Sequence, residues 1–298
     1  MKKILITGGS GFVGEHIIRL AKDKYFVHAI YHTNAIYSDR ISTYQFDLSQ
    51  VSEIEQLLYK INPDAIIHTA AISNPNVCEQ DQENAVLVNV QATKAVAAWA
   101  AKNKARFIFT STDMVFDGKK GYYRESDKPN PISVYSQTKV DAEKLIANNN
   151  SNYAIARVAL VYGIGISRKT SFFEEMLENL KQENSVTLFH DQFRTPILVN
   201  NLAEALLELV ENEFNGIIHL GGGERISRWD FGLKTCLIFN LPSRKMIKAS
   251  MFDFATAAFR PRDISLINDL AKSVLRVKLL NCDEGLERIK KDNKLFVQ

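Results

Sequence analysis

The sequence predicts an α/β fold with a doubly wound parallel sheet. Short apolar runs alternate with amphipathic helical patterns through the first half of the chain, which is typical of parallel strands joined by helices. A glycine-rich turn follows the first apolar run and precedes the first helical pattern. The chain of 298 residues is long enough for one large domain or two closely joined ones.

The expected elements of the first half are short strands separated by helices. Each strand is a short run of apolar, β-branched or aromatic residues, and each helix has apolar residues three to four positions apart. The expected strands are residues 3–7, 27–31, 44–47, 64–68, 107–112 and 153–158. The expected helices are residues 14–23, 52–60, 83–104 and 134–148, the third of them rich in alanine.

The turn after the first strand has the pattern of a phosphate-binding loop. The run Thr7-Gly-Gly-Ser-Gly-Phe-Val-Gly14 places glycines at positions 8, 11 and 14. Glycine there allows a tight turn and a close approach to a pyrophosphate, whose charge the helix N-terminus stabilises. A glycine turn without a ligand is the alternative. The predicted cofactor contacts in this loop are Gly8, Ser10, Gly11, Phe12, Val13 and Gly14.

Residues after the second and third strands bear on the choice of dinucleotide. Proteins that prefer NAD usually place a carboxylate after the second strand, where it binds the ribose hydroxyls. Here that position falls near His32, and no carboxylate is present. Its absence removes repulsion against a 2′-phosphate, so we favour NADP; NAD is the alternative because no arginine stands there either. Asp47 and Leu48, at the end of the third strand, are expected to contact the adenine.

The pattern is less regular in the second half. We expect helices at 172–183, 202–210 and 283–291, and strands at 186–189 and 217–220. Another helix should follow Ser227 and extend to Phe239, because Ser227 precedes Asp230 by three residues in the manner of an N-cap. The predicted division is a dinucleotide-binding domain at 1–165, to which 193–220 return, and a smaller substrate-binding lobe formed by 166–192 and 221–298.

Composition and charge argue against several classes of protein. The net charge is +3 and no basic run indicates nucleic acid, so a small anionic molecule is the expected ligand. Cys78, Cys236 and Cys282 lack the spacing of a disulfide framework or a zinc site and fit a reducing compartment. The N-terminal apolar run is too short for a signal peptide, and no segment could span a bilayer. We therefore expect a cytoplasmic protein with neither a metal centre nor a membrane contact.

Tyr135 and Lys139 are the expected catalytic pair. They lie four residues apart on a predicted helix, so their side chains share one face. A nearby ammonium favours the phenolate, which would let Tyr135 exchange a proton near neutral pH. Beside a dinucleotide, such a group suggests hydride transfer to or from a carbonyl carbon. A chance helical spacing is the alternative, and the glycine-rich turn weighs against it.

Together with further motifs in the same order, these features resemble the extended short-chain dehydrogenase/reductase family. The resemblance covers nearly the whole chain and implies a Rossmann-type fold. The motifs that carry it are Thr7-Gly8-x-x-Gly11-x-x-Gly14, Asp47-Leu48, His68-Thr69-Ala70-Ala71, Asn89, Ser111-Thr112-Asp113, Tyr135-x-x-x-Lys139, Arg157 and Tyr162-Gly163. The stretches similar to the dTDP-4-dehydrorhamnose reductase branch are 111–118, 123–131, 191–192 and 260–262.

The resemblance implies roles for individual residues. Tyr135 would donate a proton to a carbonyl oxygen, Thr112 would hydrogen-bond the same oxygen, and Lys139 would lower the pKa of the tyrosine and bind the nicotinamide ribose. Further cofactor positions that match the family are Ala70, Ala71 and Asn89. The substrate-side positions that match it are Thr112, Asp113, Met114, Arg194 and Arg260. The two arginines would contact a diphosphate; the alternative is a surface pair, one of them bridged to Asp263.

Met114 argues against dehydration of a sugar as the reaction. Dehydratases of this family carry an acid at its position, whereas a thioether cannot act as an acid or base. The expected activity is NAD(P)H-dependent reduction of a nucleotide-linked 4-ketosugar. One alternative is a nucleotide-sugar epimerase or another extended short-chain dehydrogenase, with Cys78 and His190 as the remaining acid–base candidates. Another is a non-catalytic NADP-binding regulatory subunit. The family also implies a homodimer through helices 83–104 and 134–148, although an alanine-rich helix packs equally well inside a monomer.

Overall fold

The computed structural model describes residues 1–36, 38–149, 151–166, 171–254 and 258–292. Its strands are β1 (Lys3–Thr7), β2 (Phe26–Tyr31), β3 (Ile41–Gln45), β4 (Ala65–His68), β5 (Arg106–Thr112), β6 (Tyr153–Val158), β7 (Val161–Tyr162), β8 (Val186–Phe189), β9 (Phe193–Arg194), β10 (Ile197–Leu198), β11 (Gly216–Leu220), β12 (Ile226–Ser227) and β13 (Met246–Ala249). Its α-helices are α1 (Phe12–Ala21), α2 (Val51–Ile61), α3 (Pro75–Gln80), α4 (Gln82–Val86), α5 (Thr93–Lys102), α6 (Val134–Asn149), α7 (Phe172–Lys181), α8 (Val199–Glu211), α9 (Arg228–Phe239), α10 (Asp269–Val274) and α11 (Cys282–Asp292). A π-helical segment, Leu87–Ala92, joins α4 to α5.

The main sheet has seven parallel strands in the order β3-β2-β1-β4-β5-β6-β11. The chain leaves β1 toward β2 on one side and later crosses back to place β4 on the other. The carboxyl ends of β1 and β4 therefore frame the crevice where ligands bind in open sheets of this kind. The predicted doubly wound, Rossmann-type sheet is confirmed.

The side chains of β1 alternate between two cores on opposite faces of this sheet. Ile4 and Ile6 pack with α1 and α8, whereas Leu5 packs with α2, α5 and α6. A third core, which includes Phe173 and Phe231, joins α7, α9 and α11. Each helix layer is thus held by apolar burial, and the sheet is covered on both faces.

The expected elements of the main sheet all occur, with small shifts at their ends. The largest shift concerns the third strand, which runs from Ile41 to Gln45 rather than over 44–47. Asp47 therefore follows this strand instead of ending it. The predicted cap at Ser227 is present, since its hydroxyl accepts from the Asp230 N–H at 3.0 Å. The short strands β7, β9, β10, β12 and β13 were not predicted.

The division into a dinucleotide-binding domain and a substrate-binding lobe remains a prediction. Segments 167–170, 255–257 and 293–298 of the predicted lobe lie outside the described residues. β11 belongs to the main sheet, while the small sheets β10–β7, β12–β9 and β13–β8 stand apart from it. None of the described helices is long and apolar enough to cross a membrane.

Candidate active site

A cavity of about 620 Å³ opens at the carboxyl ends of the main-sheet strands. The predicted residues on its wall are Gly8, Ser10, Gly11, Phe12, Val13, Gly14, His32, Leu48, Ala70, Ala71, Thr112, Tyr135 and Lys139. The predicted residues away from this wall are Asp47, Asn89, Asp113, Met114, Arg194 and Arg260. Wall residues that sequence reasoning missed include Thr33, Asn34, Ser73, Val158 and Ala159. These five follow or end main-sheet strands, and that position was the signal that could have found them.

The glycine turn has the geometry that a dinucleotide pyrophosphate requires. Gly8 has φ +67°, a conformation that side chains disfavour. A Cβ on Gly14 would lie 2.3 Å from the carbonyl oxygen of Gly8, so α1 packs against the turn only because this residue has no side chain. α1 begins at Phe12 without a side-chain cap, which leaves the N–H groups of its first turn for an anion. The residues present therefore fit the predicted cofactor.

We expect Gly14→Ala to weaken dinucleotide binding by about 5- to 150-fold, since overpacking costs about 1–3 kcal/mol. Fluorescence titration with NADPH and NADH measures this change. Gly11→Ala is the graded comparison, because its Cβ would lie 3.0 Å from the same Gly8 oxygen and should disturb the turn less. Wild-type affinity in Gly14→Ala would show that α1 can move away from the turn without loss.

The ribose end of the cavity contains a histidine where an acid would indicate NAD. His32 lies on the wall, and its Nε2 is 3.5 Å from Asp47 Oδ2. Asp47 accepts a hydrogen bond from the Ser49 N–H at 2.9 Å, which holds the pKa of its carboxyl below the usual range. Arg40 is paired with Asp23 at 2.8 Å and is not on the wall. The group nearest a 2′-substituent on this wall would therefore be the His32 imidazole, which the Asp47 carboxylate approaches, rather than an arginine.

Thr112, Tyr135 and Lys139 meet on the wall of the cavity. Thr112 is the last residue of β5, and Tyr135 and Lys139 lie in the first turns of α6. The Thr112 hydroxyl accepts a hydrogen bond from the Met114 N–H at 3.2 Å. It also lies beside the Tyr135 phenol, where it acts to lower the pKa of Tyr135. All three residues are buried. The sheet thus supplies one member of the predicted triad and the crossover helix supplies two.

The pKa of Tyr135 is raised, and the prediction that Lys139 acts to lower it stays a prediction. Burial is the largest cause, because it removes the water that would solvate a phenolate; the Asp113 carboxyl adds to the effect. Burial also lowers the pKa of Lys139 to about 7. Tyr135 is therefore protonated at neutral pH, as a proton donor must be.

Lys139 lies over an aromatic ring and close to a buried carboxylate. Its Nζ is 4.0 Å from the centroid of the Phe109 ring. Glu143, one turn further along α6, opposes the effect of burial and raises the pKa of Lys139. Arg157 Nη2 donates to Glu143 Oε2 at 2.8 Å, and the Ser111 hydroxyl donates to Oε1 of the same carboxylate. This network behind the cavity holds α6 against β5 and β6.

The lowered pKa of Lys139 predicts a pH-dependent stability of the ligand-free protein. Between pH 7 and the usual pKa of 10.5 the unfolded chain binds a proton that the folded protein does not, so this contribution makes stability rise with pH. Below pH 7 both states are protonated and the contribution is flat. The difference in melting temperature between wild type and Lys139→Met should grow in favour of wild type from about pH 7 to 9. A difference that does not change with pH would contradict a lowered pKa.

Asn89 supports the cavity from behind. Its side chain accepts from the Ile72 N–H at 2.8 Å and donates to Thr138 Oγ1 at 3.1 Å. Thr138 in turn donates to the carbonyl oxygen of Tyr135 at 2.7 Å. Asn89 therefore joins the loop after β4 to α6, and a direct contact of its side chain with the cofactor remains a prediction.

Among the predicted substrate-side residues, Asp113 and Met114 follow Thr112 in the chain, and Arg194 acts electrostatically on Asp113. Asp113 is buried, its Oδ2 has no hydrogen-bond partner among the described residues, and burial raises its pKa to about 6. Arg194 is buried and donates to the carbonyl oxygens of Phe193 and Pro261. Arg260 donates to Asn76 Oδ1 at 3.2 Å.

Asp263 pairs with neither predicted arginine. Its carboxylate accepts from Arg225, with Oδ2 2.8 Å from Arg225 Nε. The alternative of a surface pair bridged to Asp263 is therefore wrong for Arg194, which is buried, and for Arg260, which bonds to Asn76 instead.

Comparison with known proteins decides the family. The model of the family described as RmlD substrate binding domain matches residues 1–294. The chain belongs to this family.

Two relatives and one solved structure are similar to most of the chain. The "Probable low-salt glycan biosynthesis reductase Agl14" of Haloferax volcanii is 30% identical over 86% of this chain and 87% of its own length. The methionine adenosyltransferase 2 subunit beta of Xenopus tropicalis is 31% identical over 81% of this chain and 73% of its own. The crystal structure of a hypothetical dTDP-4-dehydrorhamnose reductase from Sulfolobus tokodaii is 32% identical, with a TM-score of 0.84 and coverage of 94% and 98%.

These matches confirm the predicted family resemblance. The predicted reductase class agrees with the names of these relatives, and the predicted NAD(P) cofactor agrees with the NADP bound in the solved dTDP-4-dehydrorhamnose reductase of Bacillus anthracis. The subunit beta relatives agree with the regulatory alternative.

Proposed function

We propose that this RmlD-family chain is an NAD(P)H-dependent reductase of a nucleotide-linked 4-ketosugar. The observation that carries the proposal is the meeting of Thr112, Tyr135 and Lys139 on the wall of a cavity that begins at a glycine turn fit for a dinucleotide. The family match and the reductase names of similar proteins support it.

Each residue of the triad has its own role in the proposed reaction. A bound nicotinamide supplies the reducing equivalent. Tyr135, protonated at neutral pH, donates its phenol proton to the substrate carbonyl oxygen, and Thr112 holds that oxygen by a hydrogen bond. Near neutral pH Lys139 is protonated in a fraction of the protein molecules, because its pKa is about 7. In those molecules its positive charge stabilises the phenolate left on Tyr135. The apolar surroundings of the pair strengthen this interaction by excluding water.

A regulatory subunit is the second candidate function. Similarity to the subunit beta of methionine adenosyltransferase 2 favours it. The intact triad favours the enzyme. Epimerisation has less support, because Cys78 is fully buried with a raised pKa and His190 lies on the surface, so neither is placed as a second acid–base group.

The test is oxidation of NADPH and NADH by purified protein with a panel of nucleotide 4-keto-6-deoxysugars. Turnover with one of them supports the reductase and identifies cofactor and sugar together. Cofactor binding without turnover of any panel member would contradict the proposal for that panel. A pull-down with methionine adenosyltransferase catalytic subunits then tests the second candidate.

The homodimer is likewise a proposal. Val86 and Leu87 expose 41% and 37% of their surface beside α6, and a second copy would cover them. Ala92 and Trp99 are buried in the core of the chain itself, so they are not available to a dimer contact. Sedimentation equilibrium tests the assembly, and a monomer at high concentration would contradict it.

A further inference from the structure

His68, the last residue of β4, is a fully buried histidine whose two ring nitrogens are both hydrogen-bonded. Its Nδ1 lies 2.8 Å from the Thr7 hydroxyl, and its Nε2 lies 3.0 Å from the Thr93 hydroxyl. Thr7 is the last residue of β1 and comes directly before Gly8 of the glycine turn. Thr93 is the first residue of α5. The imidazole therefore joins the strand that leads into the glycine turn to a helix that covers the sheet.

From Thr93 the hydrogen bonds continue to the helix that carries Tyr135. The Thr93 hydroxyl donates to the backbone carbonyl of Asn89 at 2.8 Å. The side chain of Asn89 donates to Thr138, which in turn donates to the Tyr135 carbonyl. Asn89 belongs to the π-helical segment, and irregular helical turns of this kind are frequent at functional sites. A continuous set of buried hydrogen bonds thus begins beside the glycine turn and ends at Tyr135.

The donors and acceptors of this set allow one form of the imidazole. The Asn89 carbonyl can only accept, so the Thr93 hydroxyl uses its hydrogen there and must accept from His68 Nε2–H. Nδ1 of the neutral ring then has a lone pair, which accepts from the Thr7 hydroxyl. Burial, together with the charge of Lys139, lowers the pKa of His68 to about 3. The neutral ring that the hydrogen bonds require is therefore the form present near neutral pH.

Packing and burial leave this network a single arrangement. The imidazole stacks on Phe109, with 5.9 Å between the ring centroids and 20° between the planes. The polar residues of the network are at most 2% exposed, and they are Thr7, His68, Asn89, Thr93 and Thr138. Apolar residues of the same shape could fill this space with little loss of stability, whereas a fully satisfied polar network specifies one geometry. The network is therefore suited to holding the glycine turn and α6 in fixed relative positions.

We propose that His68 is a positioning residue, which fixes the distance between a dinucleotide bound at the glycine turn and the proton donor Tyr135. The inference rests on the proposed reductase function for its effect on turnover, but not for its effect on cofactor binding. His68 itself is not on the cavity wall, so it acts through the turn and through α6. A displacement of about 1 Å caused by a change far from the reacting atoms can cost about 10²-fold in rate.

Thr93→Val tests this role without altering the imidazole or the cavity wall. Valine keeps the branched shape of threonine but removes the hydroxyl that accepts from His68 and donates to Asn89. Fluorescence titration should show NADPH or NADH binding about 3- to 10-fold weaker than in wild type. At saturating cofactor, kcat for the ketosugar should fall about 10- to 100-fold while KM for the sugar stays near its wild-type value. Thr93→Ser, which keeps the hydroxyl, should restore both the affinity and kcat.

Thr235→Val is the matched control. Thr235 is also buried in a helix, and its hydroxyl also donates to the carbonyl four residues earlier, that of Phe231, at 2.9 Å. It lies in α9 and is not on the cavity wall. This variant loses a hydroxyl of the same kind as Thr93→Val but leaves His68 its partners, so its cofactor affinity and kcat should equal those of wild type.

Nitrogen-15 NMR of the imidazole in wild type needs no variant to fold. At about pH 5 the His68 ring should be neutral, with its hydrogen on Nε2. A charged ring, or a hydrogen on Nδ1, would overturn the inference, because the set of hydrogen bonds could not then exist.

Unchanged cofactor affinity in Thr93→Val overturns the inference even if the melting temperature falls, since a purely structural hydroxyl would lower only the melting temperature. Equal losses of affinity in Thr93→Ser or Thr235→Val overturn it as well, because the effect would not then depend on the bond to His68. If only Thr93→Val binds cofactor more weakly while wild type reduces no ketosugar, the inference stands and the reductase proposal fails. If wild type reduces a ketosugar and Thr93→Val matches it in affinity and kcat, the reverse holds.

Discussion

Tyr135→Phe should lower the turnover of the ketosugar by about 10²–10⁴-fold while leaving cofactor binding intact. Phenylalanine keeps the ring that packs with Cys78 and Ala85, so the apolar contacts of the site survive. What disappears is the proton donor beside Thr112. Steady-state NADPH or NADH oxidation gives the loss in kcat, and titration of the cofactor gives the unchanged affinity.

Tyr25→Phe is the matched control for this result. Tyr25 is also buried and its hydroxyl donates to Glu211 at 2.7 Å, in the core on the α8 side of the sheet and away from the cavity wall. Its loss should reduce stability slightly and leave kcat near that of wild type. If Tyr135→Phe retains more than about a tenth of the activity, another group donates the proton and the role assigned to Tyr135 is wrong.

Glu143→Gln should destabilise the folded protein by about 3–5 kcal/mol, although it is nearly isosteric. The side chains of Glu143 and Arg157 are 5% and 2% exposed, and their closest N–O distance is 2.8 Å. Arginine stays charged in proteins, so the amide would leave the Arg157 guanidinium buried without its counter-ion. Urea denaturation measures the loss in free energy of unfolding.

An exposed ion pair provides the control for Glu143. Glu183 accepts from Arg244 at 2.8 Å, but their side chains are 55% and 67% exposed, so Glu183→Gln should cost no more than about 1 kcal/mol. Equal losses in the free energy of unfolding of the two variants would contradict the expectation that burial makes the Glu143–Arg157 pair costly to break. Glu143→Gln should also lower the pKa of Lys139 further, since it removes the carboxylate that raises it.

Local features of the chain were sufficient to predict much of the candidate site. The glycine turn, the spacing of Tyr135 and Lys139, and the apolar run of β1 are each written within a few residues, so pattern and stereochemistry predict them. The end of the third strand was less well placed, because β3 is half exposed and its apolar pattern is weak. Strands of two residues left no pattern at all, since pairing with a distant partner creates them.

The sequence by itself determined the doubly wound sheet, the glycine turn and the placing of Tyr135 and Lys139 on one helix, because apolar periodicity and backbone conformation act over short stretches. Only the tertiary structure decided the electrostatics. Burial, rather than a neighbour in sequence, raises the pKa of Tyr135 and lowers that of Lys139. Folding also brings together charges that are distant in the chain. Arg225 forms an ion pair with Asp263, and Arg194 and Arg228 repel each other as like charges. The energy of a charge depends on the solvent and the counter-ions that folding leaves around it, and neither is written in its local sequence.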